Sequence, residues 1–167
     1  MVDMGQVYLV QLCMTNQPNL NQGYTIVLAS DHAGIDLRQS LTAKLTDRGH
    51  QTLDIGPHSA DSVDYPDFAS QAAGVLLSNQ ADRMILVCGS GIGMSMAANR
   101  FVGVRCALVH DELTAELSRQ HNNSNAIALG ARLTDEATAW NCVIRWLTTP
   151  WEGGRHARRI NKLDNLT

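Results

Sequence analysis

The four cysteines of this 167-residue chain, Cys13, Cys88, Cys106 and Cys142, are scattered, and no two form a C-x-x-C pair. That spacing argues against both zinc ligation and a thioredoxin-type dithiol. Aromatic residues make up only 5% of the sequence, too few for a base-stacking platform. A net charge of −3 and a pI near 6.0 leave no basic footprint for nucleic acid or an anionic membrane. No apolar run approaches the ~18 residues that cross a bilayer. Val7 to Met14 has the hydropathy of a signal-peptide core, but no Lys or Arg precedes Arg38, so the positive n-region is missing. There is no internal repeat and no low-complexity tract. The expectation is one cytoplasmic domain with reduced thiols and a core that needs no staples.

What the chain does have is concentrated between Arg83 and Phe101. A short apolar run, Met84–Val87, ends in Cys88, three alternating glycines follow (Gly89, Gly91, Gly93), and a helix-prone segment begins. Strand, tight loop and helix start collect backbone N–H groups and the positive end of a helix dipole, which suit phosphate, carboxylate or a developing oxyanion. Cys88 at the mouth of that corner reads in two ways. It is either strand-end packing, the usual fate of a buried cysteine, or a thiolate serving as base or nucleophile.

The surrounding pattern is regular. Residues 1–23 read as an extension rich in Asn and Gln toward its end, with Val7–Leu12 as an alternative edge strand. Strands are predicted at Tyr24–Ala29, Gln51–Ile55, Met84–Val87, Val104–Val109 and Ala126–Leu129. Helices are predicted at Ile35–Arg48, Tyr65–Leu77, Met94–Arg100, Glu112–Gln120 and Glu136–Leu147. Alternation of this kind gives βαβ units, and so an α/β three-layer αβα sandwich around a mainly parallel five-stranded sheet. The domain is expected over 24–150, with 151–167 as a C-terminal arm.

In such folds the ligand crevice lies at the carboxyl ends of the strands. Asp31 and His32 follow strand one, Cys88 and Ser90 strand three, and Arg132 strand five. His121 and Asn122 close the helix after strand four. We expect these groups to converge on the crevice. Each also has a plain role: Asp31 as a helix cap, His121 and Asn122 as helix C-caps, Arg132 as a surface residue. After Pro150, Arg155 and Arg159 stand four apart on one helical face. That suits either a solvated surface or a two-pronged phosphate clamp.

The motifs Ser-Asp-His-Ala-Gly (30–34), Asp-Tyr-Pro (64–66), Cys-Gly-Ser-Gly-Ile-Gly (88–93), Ala-Ala-Asn-Arg (97–100), Leu-Ser-Arg-Gln-His-Asn (117–122) and Glu-Gly-Gly-Arg-His (152–156) occur in order. Together they resemble the type B ribose-5-phosphate isomerase family, which also embraces galactose-6-phosphate isomerase subunits. The resemblance covers about residues 24–160. It implies a Rossmann-like enzyme of the pentose phosphate pathway, a homodimer or homotetramer with active sites at the subunit interface, using no metal or organic cofactor. Cys88 would be the base moving a proton between C1 and C2 of a phosphorylated sugar, His121 the ring-opening group and Asp31 a helper in hydroxyl proton transfer. Gly89, Ser90, Gly91 and Gly93 would hold the enediolate. His32, Arg132, Arg155 and Arg159 would contact phosphate, and Tyr65 and Asn122 would line the sugar site. The extension is not part of the family core. Some relatives use a carboxylate in place of the cysteine, and this chain keeps Cys88.

Other readings stay open on sequence. Galactose 6-phosphate, allose 6-phosphate or a tetrulose phosphate would differ only in pocket length. A dinucleotide-binding protein would use Asp111 or Glu112, about twenty residues beyond Gly91, as its ribose-binding acid, although the spacing is G-x-G-x-G. A catalytically dead subunit of a hetero-oligomer is the third.

Overall fold

The computed structural model describes residues 23–165. The extension and its alternative edge strand therefore lie outside the described residues, Gly23 excepted. Five strands form, β1 (Thr25–Ser30), β2 (Gln51–Asp54), β3 (Arg83–Cys88), β4 (Cys106–Leu108) and β5 (Ala126–Gly130). They make one sheet in the order β2-β1-β3-β5-β4, and every neighbouring pair is parallel.

The three inner strands are apolar on both faces because helices cover both. Ile26, Leu28, Ile85, Val87, Ile127 and Leu129 point into a core shared with α1 (Ile35–Asp47), α4 (Glu112–Gln120) and α5 (Glu136–Thr148). Val27, Ala29, Met84, Leu86, Ala126 and Ala128 point the other way, against α2 (Tyr65–Leu77) and α3 (Ile92–Ala98). Small residues on α2 (Ala69, Ala72 and Ala73) let it sit close to the sheet. A last helix, α6 (Arg155–Leu163), is joined to the body by an Arg105–Asp164 ion pair at 3.0 Å.

The boundaries differ from expectation where side chains take over backbone partners. The helix predicted over Met94–Arg100 begins at Ile92 and stops at Ala98. There the Asn99 amide bonds both ways to Cys106, donating to its carbonyl and accepting from its N–H at 2.8 Å each. The fourth strand is shorter than predicted, since the Arg105 N–H is taken by Asn125 Oδ1 at 2.8 Å. The chain also makes a 3-10 turn at His32–Gly34 before α1.

The strand order reverses direction at β1 and β3: β2 lies beyond β1, and β5 and β4 lie beyond β3. A crevice opens at such a switch point, between the carboxyl ends of the two strands. Asp31 and Cys88 stand at those two ends.

Candidate active site

The crevice is built by three strand ends locked together. The Asp31 N–H donates to the Val87 carbonyl at 3.1 Å, the Ala131 N–H to the Cys88 carbonyl at 2.8 Å, and the Arg132 N–H to the Gly89 carbonyl at 3.0 Å. Gly34 sits so close to β3 that a Cβ there would lie 2.8 Å from the Val87 oxygen. At Gly91, φ is +79°, and an added Cβ would stand 2.6 Å from Leu108 Cδ1. A side chain at this position meets both strain and collision, so the loop requires glycine.

Cys88 is 4% exposed, and its Sγ accepts the Gly91 N–H at 3.1 Å. The sulfur is thus held at the floor of the crevice by the glycine loop. The Gly91 N–H, one of the expected oxyanion donors, faces the thiol. Gly89, Ser90 and Gly93 remain as candidates. The Ser90 hydroxyl accepts the Ile92 N–H at 3.3 Å. The Tyr65 ring lies flat against Gly93, where a Cβ would be 2.8 Å from its Cζ, and the Arg132 side chain runs past Gly89.

Asp31 does what its plain role foresaw, its Oδ1 accepting the Ala33 N–H at 2.9 Å as cap of the 3-10 turn. His32 Nδ1 accepts the Val63 N–H at 3.3 Å. An accepting Nδ1 leaves the ring proton on Nε2, where it can be offered to an anion. Asp31, His32, Tyr65, Cys88, Ser90, the glycine loop and Arg132 therefore form one group.

His121 and Asn122 are not in that group. In a parallel α/β fold each helix returns the chain to the amino ends of the strands, and His121 caps the far end of α4. The loop it begins reaches Asn125, whose carbonyl accepts the N–H of Met84 near the start of β3. Met84 and Cys88 are separated by about 13 Å, four residues at about 3.3 Å each. The expectation that all candidates share one crevice is corrected: His121, Asn122, Arg155 and Arg159 gather at the opposite edge of the sheet.

This second group is anchored from below. The Trp146 indole N–H donates to Ser124 Oγ at 2.8 Å, Ser124 Oγ and Ser118 Oγ share a hydrogen bond at 2.9 Å, and Arg119 donates to the Asn123 side chain and the Ser124 carbonyl. Burial, with help from the Arg83 charge, lowers the Arg119 pKa to about 10, which leaves it protonated at neutral pH. The Glu152 N–H donates to the Gln120 carbonyl at 3.2 Å and brings α6 alongside. The His121 and His156 rings then stack, 4.5 Å between centroids and 8° from parallel.

Donor atoms of His121, Glu152 and His156 lie within 4.8 Å of one another. The near-parallel rings present their in-plane lone pairs side by side, and Arg155 Nε donates to His156 Nε2 at 3.4 Å. The group is built as a stack and not as a ligand cage.

The sequence reading gave no role to His156 or to Arg38. Arg38 is fully buried, donating to Ser30 Oγ at 2.7 Å and the Pro57 carbonyl at 2.9 Å, with Asp54 at 3.0 Å. It fixes the end of β1 just before Asp31. Its signal in the sequence was position: it adjoins Leu37 and shares the inward face of α1 with Leu41 and Leu45. Burial pushes the Cys106 and Cys142 thiols up to about 12 and about 11, so they serve as packing.

The dinucleotide reading fails on geometry. Asp111 Oδ1 is used to cap α4, accepting the Thr114 N–H at 2.7 Å. It follows β4, which β5 separates from the strand bearing the glycine loop.

Known proteins share this sequence pattern and fold. The family model described as Ribose/Galactose Isomerase matches residues 26–163. Ribose-5-phosphate isomerase B of Escherichia coli is 39% identical over 138 residues, 83% of this chain and 93% of that protein. A ribose 5-phosphate isomerase structure from Thermotoga maritima superposes with a TM-score of 0.84 at 45% identity, covering 86% of this chain and 99% of that one. The Mycoplasma genitalium enzyme, solved with bound ribulose-5-phosphate, gives 0.82 at 40% identity over 86% of this chain and 95% of that one. From its ordered motifs, its parallel sheet and these likenesses, the chain belongs to the ribose/galactose isomerase family.

Proposed function

We propose that this chain isomerises ribose 5-phosphate to ribulose 5-phosphate, and that two copies build each active site. The carrying observation is the division of the candidate groups between opposite edges of one sheet. Cys88 with the glycine loop forms one half, His121 with the α6 arginines the other. A second copy related by a two-fold axis brings each half against its complement, twice over. Apolar side chains left open on the surface support such a partner: Ile92 and Met96 on α3, Leu113 and Leu117 on α4, and Leu133 beside Arg132.

The chemistry then follows from the groups. Ring opening moves a proton from the C1 hydroxyl and delivers one to the ring oxygen as the C1–O4 bond breaks, a task for His121 at the sugar end. Cys88 as thiolate takes the proton from C2 of the open aldehyde. The negative charge spreads over an enediolate held by the Gly89, Ser90 and Gly93 N–H groups. The same sulfur returns the proton to C1, and the hydroxyl protons exchange between O1 and O2 with Asp31 close by. No electron leaves the substrate. His32, Arg132 and the partner's copies of the α6 arginines would hold the phosphate, which orients the reacting end. In this reading residues 151–165 are an arm serving the site of the other copy. Three free, buried thiols, Cys88, Cys106 and Cys142, suit a cytoplasmic setting, and no helix of the described residues is long and apolar enough to cross a membrane.

The test is an NMR time course with ribose 5-phosphate in D₂O, without added metal or nucleotide. Ribulose 5-phosphate carrying deuterium at C1 is expected. Turnover of a six-carbon or four-carbon sugar phosphate alone would replace the substrate and keep the mechanism, while no exchange with any of them would overturn the reading.

A further inference from the structure

Helix α6 is largely charged and buries only two side chains, His156 and Ile160. They are four residues apart and so share a face. An apolar residue would be the ordinary choice at both places, because burying an imidazole costs desolvation unless its nitrogens are served. His156 is 5% exposed. Its Nε2 is served by Arg155 Nε at 3.4 Å, with Glu152 Oε2 at 3.6 Å. What the ring offers in return is a flat face, and that face lies against His121.

We propose that His156 is a positioning residue for His121: its fixed ring sets the plane in which His121 presents its nitrogens to the sugar. The inference rests on the reading of His121 as the ring-opening group. His121 itself ends a helix and is partly exposed, with its backbone N–H donated to Leu117. Its side chain would otherwise rotate freely about two torsions. General acid–base transfer demands alignment of an in-plane lone pair with a hydroxyl, and a misplacement of about 1 Å can cost ~10²-fold in rate. A buried parallel partner removes most of that freedom. Burial above all, then the neighbouring His121, Arg155 and Arg159, hold the His156 pKa below its usual value, opposed only by Glu152. The supporting ring thus adds no charge of its own beneath His121 near neutral pH.

The experiment compares His156→Ala with His156→Phe in the full-length protein. Ribulose 5-phosphate carries its phosphate on the oxygen that a furanose would need, so it stays open-chain, and exchange of its C1 hydrogen in D₂O bypasses ring opening. His156→Ala is expected to lower ribose 5-phosphate turnover ~10–100-fold, with KM and C1 exchange within about twofold of wild type. His156→Phe keeps a flat partner and should recover most of the turnover. Equal impairment of both variants, unimpaired His156→Ala, or exchange falling in step with turnover would each overturn the proposal. The stack is also read without substrate, through the ring-current shift of the His121 ring protons. That shift should vanish in His156→Ala and persist in His156→Phe, and an unchanged shift in His156→Ala defeats the proposal. A wild-type protein inert toward ribose 5-phosphate would instead count against the substrate assignment.

Discussion

Cys88 and His121 stand at opposite edges of the same parallel sheet, one ending a strand and the other ending a helix. The connectivity compels this, since every βα unit carries the chain up through a strand and back down through a helix. A thiol after a strand and an imidazole after a helix cannot meet within one such chain. In the proposed two-copy site they would meet across the interface between one copy's amino edge and the other's carboxyl edge.

Mixing two dead variants tests that directly. Cys88→Ala and His121→Ala, each inactive alone, are expected to regain about a quarter of wild-type activity when unfolded together and refolded in equal amounts. Half the dimers would then be mixed, and each mixed dimer would hold one intact site of two. No recovery would mean that each site is made within a single chain.

The two residues should also fail differently. Cys88→Ala is expected to lose ~10²–10⁴-fold in turnover and to lose C1 exchange of ribulose 5-phosphate equally, with the circular dichroism spectrum unchanged. His121→Ala should lose turnover of ribose 5-phosphate while keeping that exchange. Comparable exchange in the Cys88 variant would place the base elsewhere.

Gly91 and Gly74 form a matched pair. Gly91→Ala forces a Cβ at positive φ into Leu108 and moves the N–H that faces the Cys88 sulfur. It should cost about 1–3 kcal/mol in urea unfolding and most of the activity. Gly74, inside α2, has nothing within 4 Å of where a Cβ would go. Gly74→Ala should stabilise by about 0.5–1 kcal/mol with activity unchanged.

Stability should fall on the acid side in two stages. The His156 pKa is lowered by burial first and His121 next, and the His50 pKa by burial first and Arg48 next. His50 Nδ1 accepts the Tyr24 N–H at 3.1 Å, a bond that only its unprotonated form makes. A histidine depressed in the folded state leaves the unfolded chain binding protons first. Its contribution is therefore complete above about 6.5 and is lost as pH falls toward the lowered native value. The caps follow at lower pH. Hydrogen bonds from Thr114 and Thr138 hold Asp111 and Asp135 below their usual range, and that support goes as they protonate. Melting temperature against pH should show both stages, and His156→Phe should shrink the first. A flat profile from pH 7 to 5 would contradict the assignment.

Much of this molecule was legible from its residues. Strands β1, β3 and β5 read as apolar runs, because burial on both faces leaves no room for polar alternation. The crevice group was found by position after strands. His121 was misassigned to that crevice because its place depends on chain direction, which a list of strand ends ignores. Gly91 was read as an anion donor since loop chemistry is visible in sequence, whereas the direction of a single N–H is not. His156, present in one of the motifs, was given no role because its face becomes apolar only through Ile160, a single helical repeat too short to form a pattern.

The hydrogen bond from Trp146 to Ser124 ties the loop bearing His121 to the largest fully buried side chain of α5. Loosening of the α5 packing is therefore expected to disturb that loop with it. Gentle heating that loosens the packing around α5 should silence ring opening before secondary structure is lost, and the emission of Trp146 would register the moment. On the proposed reading, the temperature limit of the reaction would then be set beneath the sheet's amino edge and not in the crevice that holds Cys88.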